Sequence, residues 1–116
     1  MTFVYPAEPP QILIAPSANI EPYAETTVVT VCMGYGKDEV PRLQWKYMEN
    51  ILTNDTPSVV IHETQGTENG RLFVESMLTF CDIGLNNAGN YSCTVNNSFG
   101  YAESTFTLNV KINRKS

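Results

Sequence analysis

The segment Asn87-Ala88-Gly89-Asn90-Tyr91-Ser92-Cys93 joins a turn of small residues to a run that continues as Thr94-Val95. Asn and Gly tolerate the backbone conformations a tight turn needs. From Asn90 onward, Tyr91, Cys93 and Val95 alternate with Asn90, Ser92 and Thr94. That is the period of a β-strand with one face in a core. The polar cluster Asn96-Asn97-Ser98-Phe99-Gly100 then closes the run.

Outward from this segment the same alternation recurs in runs rich in Val, Thr, Ile, Phe and Tyr. It predicts strands at 11–15, 27–33, 42–47, 58–62, 71–80, 90–95 and 102–110. Turn clusters lie at 34–41, 53–57, 65–70, 84–89 and 96–100, and Asn69-Gly70 is a hairpin dipeptide, because both residues accept positive φ. No stretch of ten or more residues carries helical periodicity. Short strands at near-regular spacing predict an all-β sandwich.

A chain of 116 residues has room for one such domain, expected over 10–112, after a Pro-rich linker at 1–9 and before a tail at 113–116. The start, Met1-Thr2-Phe3-Val4-Tyr5-Pro6, lacks the charged head and apolar stretch of a secretion signal. A secreted or membrane-anchored parent would therefore contain this chain as an excised domain. The net charge of −5, from 7 basic against 12 acidic residues, argues against nucleic acid and anionic membrane surfaces as partners. No apolar run approaches the roughly 18 residues of a membrane span, so direct membrane insertion is not expected.

Cys32, Trp45 thirteen residues later, Tyr91 and Cys93 together resemble the immunoglobulin superfamily. The run 87–93 is similar to that family's Asp-x-Gly/Ala-x-Tyr-x-Cys, with Asn87 where Asp is usual. The stretch 93–100 resembles the Cys-x-Ala-x-Asn-x-x-Gly of I-set domains, as do Leu78-x-Phe80-x-x-Ile83 and Phe106-x-Leu108-x-Val110 their fifth and last strands. One departure is Glu25, where the family favours Gly; another is a slightly long loop at 34–41. The resemblance implies an immunoglobulin-like two-sheet sandwich of about seven to eight strands with one disulfide, Cys32 to Cys93, across the sheets. It also implies a core around Trp45, Tyr91 and Leu78. The cysteines stand 61 positions apart, which suggests an extra short edge strand near 51–53. A bridge closing about 60 residues contributes on the order of 4 kcal/mol in a chain-entropy treatment. The turn at Asn87, lacking the usual carboxylate, is expected to hold on hydrogen bonds.

With Cys32, Trp45 and Cys93 inward, alternation assigns the other faces. Around Cys93 and on the strands pairing with it, the outward residues are polar throughout. On the opposite sheet Val29, Val31 and Met33 would face outward beside Met77, Thr79 and Cys81. Val29, Val31, Met33, Met77 and Cys81 thus form a candidate protein interface. The competing explanation is that β-branched residues favour strands on either face. Cys81 is the odd cysteine: an intermolecular bond, or more simply a small half-buried hydrophobe.

Asn-x-Ser/Thr glycan acceptor motifs begin at Asn54, Asn90 and Asn96. Pro57 makes the first a poor acceptor; the other two face outward on the polar sheet. Catalysis is not expected. His62 is the only histidine, and no nucleophile, base and orienter can be assembled around it. Metal-ligand spacings and Gly-rich phosphate loops are likewise missing, so no cofactor is predicted. The resemblance implies a protein–protein recognition module in the extracellular part of a plasma-membrane or secreted protein. Its partner would be a ligand, a co-receptor or a second copy in a homodimer. The alternative is an intracellular structural domain of the muscle or cytoskeletal kind, in which all three thiols stay reduced.

Overall fold

The computed structural model describes residues 8–112; residues 1–7 of the expected linker and the tail at 113–116 lie outside that range. The described residues form nine strands: β1 (Gln11–Ile14), β2 (Asn19–Ile20), β3 (Val28–Gly36), β4 (Arg42–Tyr47), β5 (Asn50–Ile51), β6 (Val59–Glu68), β7 (Arg71–Phe80), β8 (Gly89–Asn97) and β9 (Gly100–Leu108). They form a four-stranded sheet in the order β1-β3-β7-β6 and a five-stranded sheet in the order β2-β9-β8-β4-β5. The two-layer, all-β expectation is met. All named pairings are antiparallel except β2 with β9.

Turn chemistry explains where the strands end. Asn69 (φ 52°) and Gly70 (φ 76°) make a two-residue turn between paired Glu68 and Arg71. Both central residues have positive φ, as that hairpin turn requires. β6 therefore runs to Glu68, and the loop expected over 65–70 shrinks to two residues. Once so tight a turn sets the register, Gln65–Glu68 pair with β7 without needing an apolar alternation of their own. β5 sits one residue earlier than the edge strand expected near 51–53. The cause is another two-residue turn at Met48 (φ 46°) and Glu49 (φ 75°), which sets Tyr47 opposite Asn50. β2 is new. The chain leaves the four-stranded sheet after β1, passes buried Pro16, and pairs alongside β9 through the amide of Thr107 on the Ala18 carbonyl at 2.9 Å. A proline cannot continue a ladder, which favours the change of sheet there.

The two layers meet around Trp45, which is 2% exposed. Cys32 and Cys93 are bridged across the sheets with their Cα atoms 6.6 Å apart. The indole packs edge-on to Phe106 at 6.2 Å, and Phe106 stacks on Tyr91 at 5.2 Å. Leu78, Phe80, Ile83 and Leu108 complete this cluster. The indole N–H would be an orphan donor in so apolar a place. It donates to the Ser76 hydroxyl of the opposite sheet at 2.8 Å, which accounts for a fully buried serine on β7. Higher in the sandwich the layers come closer: a Cβ added to Gly34 would stand 2.6 Å from Val95.

Candidate recognition surface

The ladders of the four-stranded sheet place its outward residues in rows across the strands. One row holds Val29, Thr79 and Val60; the next holds Val31, Met77 and His62. A third holds Met33, Glu75 and Thr64, and the last Tyr35, Phe73 and Gly66. Val29 and Val60 are about half exposed and Met77 is 40% exposed, with Val31 and Thr79 partly covered between them. Val29, Val31 and Met77 are thus brought together as alternation anticipates. Val60 joins them although it was not among the candidates. Its signal was present: Val59 and Ile61 pack inward, so the residue between them must point out.

Two expected members do not belong. Met33 faces this side but is only 6% exposed, so it offers no contact surface. A bulge in β1 between Ile12 and Ile14 brings Leu13 over that end of the sheet, where Leu13, Tyr35 and Phe73 surround the same small hollow as Met33. The Arg71 guanidinium closes this end, 4.6 Å above the Tyr35 ring. Cys81 lies one residue past the end of β7, outside the ladder; its thiol is free and exposed. Only its amide is held, on the Ser58 carbonyl at 2.9 Å.

The outer face of the five-stranded sheet is built differently. Lys46, Asn90, Ser92, Glu103, Thr105 and Thr107 line an open hollow of about 310 Å³, together with Met48, Glu49, Tyr91 and Phe106. Groups on this face bond one another: Thr94 donates to Glu103 and Thr107 to Asn90, each at 3.1 Å. The expectation of a polar face throughout needs two corrections: on edge strand β5, Ile51 pairs with outward Lys46 and is 54% exposed, and Tyr101 is the other. β9 begins at Gly100, two residues earlier than predicted, and this adds Tyr101, 69% exposed, opposite Asn96.

Below this face sits the turn first read in the sequence. The short 3-10 helix Leu85–Asn87 precedes β8. Asn87 Oδ1 accepts the Gly84 amide at 2.8 Å, while the Tyr91 hydroxyl donates to the Asn87 carbonyl and Tyr47 to that of Ala88. Hydrogen bonds do hold the corner without a carboxylate. Burial, reinforced by neighbouring Tyr47, raises the Tyr91 phenol above its ordinary pKa. At the other end Glu39 accepts the Ser98 amide at 2.6 Å and its hydroxyl at 3.3 Å. These bonds, the amide first, hold the Glu39 carboxyl below its usual range.

The chain enters and leaves at opposite ends of the sandwich. Asn97, at the β8–β9 turn, donates to the Glu8 carbonyl at 3.1 Å; Lys111, beyond the far end of β9, donates to the Pro22 carbonyl at 2.8 Å. Among the described residues no three His, Cys, Asp or Glu side chains gather as metal ligands. Nor is any helix there long and apolar enough to cross a membrane.

Of the three acceptor motifs, Asn54 uses Oδ1 to accept the Ile61 amide of β6 at 2.6 Å. Asn90 stands exposed on the polar face, and Asn96 is half-buried beside the Glu39–Ser98 clamp.

The family model described as Immunoglobulin I-set domain matches residues 10–110. No curated protein sequence matches the chain. Among solved structures, it is similar to one described as Dpr2 Ig1-Ig2 in complex with DIP-Theta Ig1-Ig3, with TM-score 0.74, 18% identity, and cover of 90% of this chain and 33% of that one. It also resembles the titin Ig tandem domains A164-A165, with TM-score 0.72, 18% identity, and cover of 92% and 51%. A third likeness is to titin domains z1z2 in complex with telethonin, with TM-score 0.67, 22% identity, and cover of 94% and 51%. The chain spans between a third and a half of these structures' chains. At such identities the likeness establishes the shared fold.

Proposed function

We propose that this chain, which belongs to the immunoglobulin I-set family, is a non-catalytic recognition module of a cell-surface or secreted protein. It contacts a protein partner through the outer face of its four-stranded sheet. The observation that carries the reading is the cluster of Val29, Val31, Val60 and Met77 on that face, opposite a sheet whose own outer face is mainly polar. Solvent-facing apolar side chains gathered on one sheet contribute little to folding, and they supply the apolar centre a protein contact uses. The Cys32–Cys93 bridge supports an oxidising compartment, since such bonds are rare where thiol buffers operate. Entry and exit at opposite ends support a place in a linear series of domains.

The compartment is tested by alkylating the thiols of the unfolded, unreduced protein taken from its native cells. One modified cysteine, Cys81, supports the extracellular reading; three support an intracellular structural domain. The contact face is tested by Val29→Asp in the oxidised domain, followed by sedimentation and by staining of cells that bind the unsubstituted domain. Lost self-association identifies the partner as a second copy, and lost staining identifies a different protein. If both properties survive unchanged, the face is not the contact.

A further inference from the structure

We propose that Asn90 is an N-glycan acceptor, and that its sugar covers the polar face of the five-stranded sheet, leaving the opposite apolar face open. The inference deepens the recognition reading and rests on its extracellular part. The transfer is a substitution at carbon. Asn90 Nδ2 bonds to the anomeric carbon of an oligosaccharide carried on a lipid diphosphate; the bond from that carbon to the diphosphate oxygen breaks. The diphosphate leaves with the electron pair, and one proton passes from the amide nitrogen to the transferase's base. The acceptor is the unfolded chain, so the motif Asn90-Tyr91-Ser92 is what the transferase reads. Folding then decides whether the product can be accommodated.

The three motifs differ on that point. At Asn90 the side chain is exposed and outward, because Tyr91 and Cys93 occupy the inward positions of the same strand. Its Oδ1 accepts the Thr107 hydroxyl, a bond that a glycosylated amide retains since only Nδ2 is substituted. The adjoining hollow of about 310 Å³ is at the lower end of small-molecule sites and leaves room for a first sugar ring. Ser92, Thr105, Thr107, Lys46 and Glu103 around it offer the hydroxyls and charges that hydrogen-bond a sugar. Asn96 is half-buried between Arg42 and Tyr101 on the neighbouring strands, where a branched polymer meets more protein. Asn54 is exposed and its Oδ1 bond to β6 would survive substitution at Nδ2, but Pro57 directly after its threonine makes the motif a poor acceptor. Asn90 combines an exposed side chain with an adjoining polar hollow; Asn96 lines a polar hollow but is partly buried, and Asn54 is exposed but closely followed by Pro57.

The experiment appends a secretion signal to the full chain, expresses it in mammalian cells, and maps the glycan by enzymatic release in heavy-oxygen water. Deglycosylation marks each occupied Asn as a labelled Asp. The expected result is a labelled Asn90 peptide, lost in Asn90→Gln and in Ser92→Ala, and retained in Ser92→Thr and in Asn96→Gln. A secreted chain with its Cys32–Cys93 bridge formed and Asn90 bare overturns the proposal while leaving the extracellular reading standing. A labelled Asn90 alongside three reduced thiols in the native cells does the reverse: the acceptor is competent and the reading fails. Ser92→Ala keeps the asparagine and its bond to Thr107, so a folding defect in Asn90→Gln cannot obscure the outcome.

Discussion

The two sheets share one core and differ in the centre of the face each shows to solvent. The four-stranded sheet turns Val29, Val60 and Met77 outward, whereas the five-stranded sheet turns Lys46, Asn90, Ser92, Glu103 and Thr105 outward. Inside, both present the same kind of residue: Cys32, Leu78 and Phe80 from one, Trp45, Cys93 and Phe106 from the other. Folding constrains the inner faces alone. The outer faces are free to diverge, and where a free surface departs from polarity a use for it is the natural physical reading.

The largest test removes what the sheets share. Trp45→Ala should cost about 3–5 kcal/mol, the range for large aromatic deletions in cores, and should weaken both sheets together in one denaturant transition. Separate melting of the two sheets would mean the core is not common. Ser76→Ala strikes the same contact from the other layer. It leaves the indole N–H buried without its partner and should cost about 1–3 kcal/mol, read as a lower denaturation midpoint at unchanged slope.

A gain is expected in the five-stranded sheet. Met48 and Glu49 occupy the same positive-φ positions that Asn69 and Gly70 occupy in the four-stranded one. Side chains with a Cβ carry a cost of roughly 1–2 kcal/mol in that conformation. Exchanging the pair for Asn-Gly should raise stability by about 1–2 kcal/mol; a fall in the melting temperature would show that the turn is not strained.

The paired substitutions Val29→Asp and Thr105→Asp sharpen the contrast of outer faces. Each should leave stability within about 0.5 kcal/mol, as exposed changes usually do. Partner binding should fall only for the first. Equal losses, or none, would erase the functional distinction between the sheets. The smallest effect is on pH. Glu39 has its folded pKa lowered by Ser98, so its contribution to stability is full above the ordinary carboxyl value of 4.5 and is lost as pH falls through the folded value. Its side chain is only partly covered, so a shallow acid limb is expected, absent in Glu39→Gln. An identical limb in that variant would assign the effect to other carboxylates.

Much of this organisation was legible in the chain itself. Strands β4 and β7 fall on the predicted bounds, because Trp45 and Leu78 sit in alternating runs stopped by clear turn residues. Glu25, the departure from the family's glycine, turns out to hold φ 69° while its amide bonds the Ile83 carbonyl at 2.7 Å. The position calls for glycine, and the chain tolerates a side chain there. Less was legible where two residues must suffice. Periodicity has no meaning over the two residues of β2 or β5. The Met48-Glu49 turn carries none of the Asn, Asp or Gly that announce its type. The candidate surface was partly legible for a related reason. Alternation reports direction, so it located Val29, Val31 and Met77 correctly and pointed Met33 outward, but direction is not exposure. What covers Met33 is a bulge in β1 and the ring of Phe73 from β7, which come from other strands, beside the ring of Tyr35 two residues along its own.

The order of residues alone determined two β-layers, the pair of cysteines that joins them and the direction of most strand side chains. The layers and the directions follow from a period of two and from residue chemistry acting over a few neighbours; the cysteine pair follows from the resemblance of Cys32, Trp45, Tyr91 and Cys93 to a known family. The folded arrangement decided which outward side chains remain in water, which asparagine stands beside an open hollow, and which serine meets the indole. Those outcomes depend on segments far apart in the chain arriving at one place, and no local pattern encodes that meeting.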